Sequence, residues 1–336
     1  MPKRALITTI SLLLIVAVLA ILNLAYGSVS IPIDQVVKVV TGNDADKTTW
    51  QYIILESRLP QAVTAMLCGA SLATAGLLLQ TAFRNPLAGP SILGITHGAS
   101  LGVGIVMLVT GGVISIAGSV FTGFLAVITG AFIGAMTVIV LLLAFASVVR
   151  SNLMLLIVGI MLGYLVSSLV MMLNFFATSD NIHNYVMWGM GSFSDVGMQQ
   201  LPAFSTGCIT GLIMSALLIK PLNALLLGDG YAQNLGVNTH HMRWLLLATT
   251  GLLTAVSTAF CGPVAFIGLA VPHITRLLTR TSNHFTLVPA NMLTGMAVCL
   301  ACNLICTLPD KTVIPLNAVT PIFGAPVIIY VMLKRQ

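Results

Sequence analysis

Leu225–Val237, LLLGDGYAQNLGV, is the stretch on which the reading of this chain turns. It is a polar interruption in sequence that is otherwise apolar enough for a membrane. It holds Asp229, Gln233 and Asn234, with Gly228, Gly230 and Gly236 as hinges. Between the glycines, Tyr231, Ala232 and Leu235 recur at near-helical spacing, which predicts one or two short helical turns with an apolar side. Two readings follow: a plain loop between two spans, or a short helix outside the membrane that docks into a soluble partner. The flanking sequence decides between them.

Of the 336 residues, 57% are hydrophobic and 7% charged, with a mean hydropathy of +1.04. A soluble domain with so few charges would not stay dispersed, so the chain reads as polytopic, with lipid as its main solvent. The net charge of +6 is then a matter of topology and not a nucleic-acid footprint. Six cysteines lie in or beside apolar runs with no CxxC pair near a histidine cluster, so neither a disulfide framework nor a zinc site is indicated. Met1–Gly27 has the outline of a signal peptide, but its apolar run is long enough to span and more spans follow, which favours an uncleaved first helix.

Hydropathy predicts an all-α fold with about ten transmembrane helices, near 5–26, 59–82, 92–110, 116–147, 152–176, 201–219, 243–261, 264–280, 285–306 and 313–333. The fourth is too long for one straight crossing and must tilt or carry a loop at one end. With both termini in the cytoplasm, ten basic residues fall inside and four outside (Lys38, Lys47, Arg58 and Lys311). Seven of the eight acids fall outside, and Asp229 alone falls inside. That split satisfies the positive-inside rule. Outer segments near 28–57 and 177–200 and a cytoplasmic segment near 220–241 interrupt one transmembrane domain over 1–336.

No Asp or Glu falls inside any predicted span, which argues against an ion-coupled secondary carrier. GxxxxGK[ST] is absent, so any ATPase is a separate polypeptide, and HExxH is absent, so no zinc hydrolase is indicated. Pro86 and Pro90 lie between the second and third spans, where Asn85 can cap exposed backbone groups. A structural turn and a gate are both readings of this block. Gly262, Pro263 and Pro272 break the eighth span and free carbonyls that protein or water must satisfy.

Taken together, GASLATAGLLLQ (69–80), RNPLAGPSILGITHGAS (84–100), the opening stretch, GPVAFIGLAVPHITRLL (262–278) and PIFGAPVIIYVML (321–333) resemble the permease family of type II ABC importers for iron–siderophores, haem and cobalamin. The resemblance covers nearly the whole chain. It implies a multi-pass permease of the inner membrane that passes a bulky iron chelate, siderophore or haem, into the cytoplasm by alternating access. Cobalamin is the alternative cargo, and a secondary carrier the alternative class. It also implies a second permease copy, two ATP-binding cassette subunits that hold ATP and Mg, and a periplasmic or lipoprotein binding protein. No cofactor belongs to this chain itself.

On the same resemblance, Gly228, Asp229, Ala232, Leu235 and Gly236 couple to the ATPase, with Ala232 and Leu235 as the apolar side that meets it. Arg58 and Lys311 stand where the binding protein docks. Gln61, Asn303 and Cys306 depart from the pattern, standing where the family carries arginine, aspartate and arginine. His97 either meets a metal-bearing cargo or packs between helices, and Met187 and Met190 are candidates for a soft outer pathway.

Overall fold

The computed structural model describes residues 3–27, 29–116, 119–149, 151–308 and 313–333. Apolar runs with few charges become long helices, because only a helix satisfies every backbone group without water. Six helices among the described residues are long and apolar enough to cross a membrane. They are α1 (Lys3–Ala25), α4 (Leu59–Ala82, extended N-terminally), α6 (Gly123–Val148), α7 (Asn152–Phe176), α12 (Thr239–Cys261) and α14 (His284–Thr307). A seventh span is the pair α9 (Leu201–Leu217) and α10 (Ile219–Leu226), bent by 51°. The other three predicted spans are shorter helices, α5 (Ile95–Gly104, continued by a π-helical turn Ile105–Val109), α13 (Ile267–Thr279) and α15 (Leu316–Leu333). All ten predicted positions therefore hold a helix or a bent helix pair, although ten full-length crossings is an approximate count.

The over-long fourth span resolves at its N-terminal end. Val113–Ile116 (β1) pairs antiparallel with Ser119–Thr122 (β2), and α6 begins only at Gly123. This hairpin is the one exception to the helical fold among the described residues. The outer segments carry short helices: α2 (Ile33–Val40) and α3 (Thr48–Tyr52) after α1, and α8 (Ser179–Gly189) after α7. A π-helical turn, Ile53–Arg58, joins α3 to α4.

Helix α4 is the axis of the bundle. Nearly every residue from Cys68 to Thr81 is buried, so the helix shows no polar face to water or lipid. It is surrounded by α9, α12, α13 and α14, and its glycines set how close they come. A Cβ on Gly69 would strike the Gly295 backbone of α14, and one on Gly76 the Gly268 backbone of α13. Small residues let membrane helices reach backbone contact, where packing supplies the stability that hydrophobic burial cannot supply in lipid.

Candidate functional site

The cytoplasmic end is assembled from stretches far apart in sequence. Gly228 adopts φ +115°, a backbone that favours glycine, and turns the chain from α10 into α11 (Asp229–Asn234). The predicted short helix is thus present between its glycines. Arg84, just past α4, reaches Asp229 at 2.6 Å, with both side chains about half exposed. In the turn between α4 and α5, the Asn85 Oδ1 accepts from the Leu87 N–H (2.9 Å), the expected cap. Buried His273 of α13 bonds through Nε2 to the Pro86 carbonyl (2.8 Å). A Cβ on Gly268 would meet the Pro90 ring. Arg276 donates to the Gln80 Oε1 (2.5 Å) and Gln80 to the Leu269 carbonyl (3.2 Å), in the turn where Pro272 removes a backbone donor. The 84–100 and 262–278 blocks are therefore two halves of one joint that ends on α11.

One expectation for α11 is corrected. Ala232 does not face outward: it is fully buried against Leu78, Leu222, Leu225 and Leu246 of its own chain. The residue packs the short helix onto α4, α10 and α12. The exposed apolar face belongs to Tyr231 and Leu235, more than half exposed, with Leu226 and Leu227 beside them. Helical spacing placed Ala232 and Leu235 on one side, but the chain turns at Leu235, where α11 has ended.

The opposite end holds a cavity of about 610 Å³ between α4, α6, α8, the 190–195 loop and the α14–α15 connection. Met187 and Met190 line it, as do Gln61, Asn303 and Cys306, the three departures from the family pattern. Gln61 donates to the Asn303 Oδ1 (3.1 Å), and the Asn303 amide donates to the Asn23 Oδ1 of α1 (2.8 Å). Asn23 in turn donates to the Leu300 carbonyl (3.1 Å). Where the resemblance puts an arginine and an aspartate, this chain has two amides bonded to each other, so both charges are replaced within one contact.

The broken eighth span forms a neighbouring knot. The Cys261 carbonyl accepts from the Ser192 N–H (2.9 Å), while Gly262 turns with φ +71°. Asn317 of α15 donates to the carbonyls of Gly189 (3.0 Å) and Pro263, and accepts from the Ala265 N–H (3.0 Å). Protein groups thus satisfy the backbone that Gly262 and Pro263 free. Asn317 escaped the sequence reading because one asparagine near a helix start looks like a cap. Its three partners lie more than 50 residues away in the chain.

Two further expectations change. Arg58 is buried, and its guanidinium donates to the Leu24 and Ala25 carbonyls (2.8 Å each) and to the Val29 carbonyl. It closes the C-terminal end of α1 and offers no charge to a docking partner. Lys311 lies outside the described residues. His97 sits against Gly163 of α7 and does not line this cavity.

A helical bundle with spans apolar enough for a membrane, a polar joint at one end and a cavity at the other is what fold and site define. Residues 13–334 match the model of the FecCD transport family. The chain is 36% identical over 287 residues to the vitamin B12 import system permease protein BtuC of Klebsiella pneumoniae, covering 85% of this chain and 84% of that one. It is 32% identical over 339 residues to the molybdate import system permease protein MolB of Haemophilus influenzae, covering 96% and 95%. A solved chain assigned to the metal-chelate type of ABC transporter, in an inward-facing conformation, superposes with a TM-score of 0.84 at 28% identity, over 97% of this chain and 98% of that one. The chain belongs to the FecCD transport family. It is an ABC importer permease of the FecCD/BtuC type, and its relatives are permease subunits rather than enzymes.

Proposed function

We propose that the chain passes a bulky metal chelate across the inner membrane by alternating access. It does so as one of two permease copies, powered by two ATP-binding subunits and supplied by a periplasmic or lipoprotein binding protein. An iron chelate, siderophore or haem, is the cargo first implied by the resemblance, and cobalamin the second. The observation that carries a bulky cargo is the outer cavity: about 610 Å³, lined by carboxamides, thioethers and aromatic rings. Such a lining suits a large body with apolar and amide faces. A small desolvated oxyanion such as molybdate wants cationic or clustered N–H donors, and no Lys or Arg stands among the described lining residues. On the cytoplasmic side, Tyr231 and Leu235 are the surface we assign to the ATPase, held in place by Gly228, the Arg84–Asp229 pair and buried Ala232.

The test is uptake into proteoliposomes carrying the permease, its ATPase and its binding protein. Cobalamin, a ferric siderophore, haem and molybdate are offered in turn, with and without ATP. ATP-dependent uptake of one chelate is expected. Uptake of molybdate alone would overturn the bulky-cargo reading, and ATP-independent uptake driven by an ion gradient would restore the secondary carrier.

A further inference from the structure

Helix α2 (Ile33–Val40) has three faces, each suited to a different medium. At about 100° per residue, Ile33, Val37 and Val40 share one face, Asp34 and Lys38 a second, and Gln35, Val36 and Val39 a third. The third face is buried, and Val36 and Val39 join Leu24, Ala25 and Ile54 in the core. The second is tied to the loop that follows: Lys38 pairs with Asp46 (2.9 Å), and Gln35 reaches round to donate to the same carboxylate (2.7 Å). The first is left bare. Ile33, Val37 and Val40 are 49%, 49% and 59% exposed. A row of branched aliphatic side chains is stabilised by leaving water.

The place of α2 in the fold supplies what covers that row. The membrane-length run of α1 ends at Ala25, and Leu14, Val18 and Ile21 form an exposed apolar row along it with the same spacing. Tyr26, the next residue, is half exposed at the level where aromatic rings sit between lipid and water. The chain then reverses. The Ile31 N–H bonds to the Ala25 carbonyl (3.0 Å), and Arg58 clamps the carbonyls of Leu24, Ala25 and Val29. Helix α2 therefore starts at the depth where α1 leaves the hydrocarbon. A helix pinned there, apolar on one side, charged on the next and packed on the third, matches one that lies along a lipid surface.

We propose that α2 is an interfacial anchor, with Ile33, Val37 and Val40 sunk into the lipid surface at the C-terminal end of α1. The partner is the bilayer itself and not a soluble protein. The assignment rests on α1 spanning the membrane and on no feature of the transport cycle.

The test places a nitroxide at Val37→Cys or Lys38→Cys in the full-length permease, held in phosphatidylcholine nanodiscs. The six native cysteines are buried, and any label that the unsubstituted permease takes up is subtracted. Collision rates are measured with oxygen, which concentrates in lipid, and with a neutral nickel chelate, which stays in water. The oxygen-to-nickel ratio should be severalfold higher at Val37 than at Lys38. Ile33→Cys and Val40→Cys should agree with Val37, and size-exclusion profiles check that each variant folds. Equal nickel access at Val37 and Lys38 would overturn the proposal by putting the row in water. A Val37 label hidden from both reagents would overturn it by putting protein, such as a second copy, over the row. Nickel access that is lost only when the binding protein is added would make the row a docking site instead. ATP-driven uptake tests the importer reading separately.

Discussion

The two ends of the bundle solve the same problem with opposite chemistry. At the cytoplasmic end, the joint between the 84–100 and 262–278 blocks is held by charged or strongly polar partners: Arg84 on Asp229, Arg276 on Gln80, His273 on the Pro86 carbonyl. At the outer end of the bundle, Gln61, Asn303 and Asn23 bond as neutral amides, and the guanidinium of Arg58 is turned inward onto α1. The difference teaches where charge is tolerated. Near the cytoplasmic surface, water screens a pair such as Arg84–Asp229, and it is adjustable. Deeper in the outer half, a charge must be fully bonded, as Arg58 is, or be replaced by amides, because an unpaired buried charge is costly.

Ala232→Arg is expected to have the largest effect. A guanidinium forced into the cluster of Leu78, Leu222 and Leu246 costs several kcal/mol, so the permease should lose thermal stability and yield. Leu235→Arg, on the exposed side of the same segment, should leave folding intact and abolish the ATPase stimulation caused by the loaded binding protein. Size-exclusion profiles, melting curves and ATP hydrolysis in proteoliposomes separate the two. A stable Ala232→Arg permease would mean that α11 does not pack as described.

Arg58→Gln comes next. It removes charged donors from three carbonyls at the end of α1, at a cost of about 2–3 kcal/mol. The melting temperature should fall, while the folded fraction binds its binding protein as wild type does. Weakened association with unchanged melting would return Arg58 to the docking surface. Asn317→Ala deletes the staple across Gly189, Pro263 and Ala265 and should cost about 1–3 kcal/mol, read in melting curves. Melting identical to wild type would show that the broken span holds its shape without it.

The smallest effect on stability belongs to Arg84→Gln. An exposed pair contributes about 1 kcal/mol or less, so melting should barely move, and Asp229→Asn should give the same small change. A double-mutant cycle on ATPase stimulation then measures whether the pair transmits the signal. Additive single effects would reduce it to a surface contact.

Much of this architecture is legible before any coordinates. Apolar runs place the helices, because lipid forces every backbone group into an internal bond. The glycines of LLLGDGYAQNLGV announce the turn at Gly228 and the short helix after it. The limits of that reading are specific. Spacing put Ala232 beside Leu235, and only the packing against α4 and α12 shows that one is core and the other surface. Arg58 looked like an outer cation, and only the fold reveals the α1 carbonyls that claim it.

The sequence by itself determined the class of the protein, the approximate span positions, the polar segment outside the membrane and the absence of a nucleotide-binding loop. Each of these is a local property of composition, periodicity or motif. The tertiary structure alone decided the amide chain from Gln61 to Asn23 and the Asn317 knot. Their partners lie tens to hundreds of residues apart. A hydrogen bond depends on positions in space, and in a bundle of many helices the order along the chain does not say which polar side chains meet.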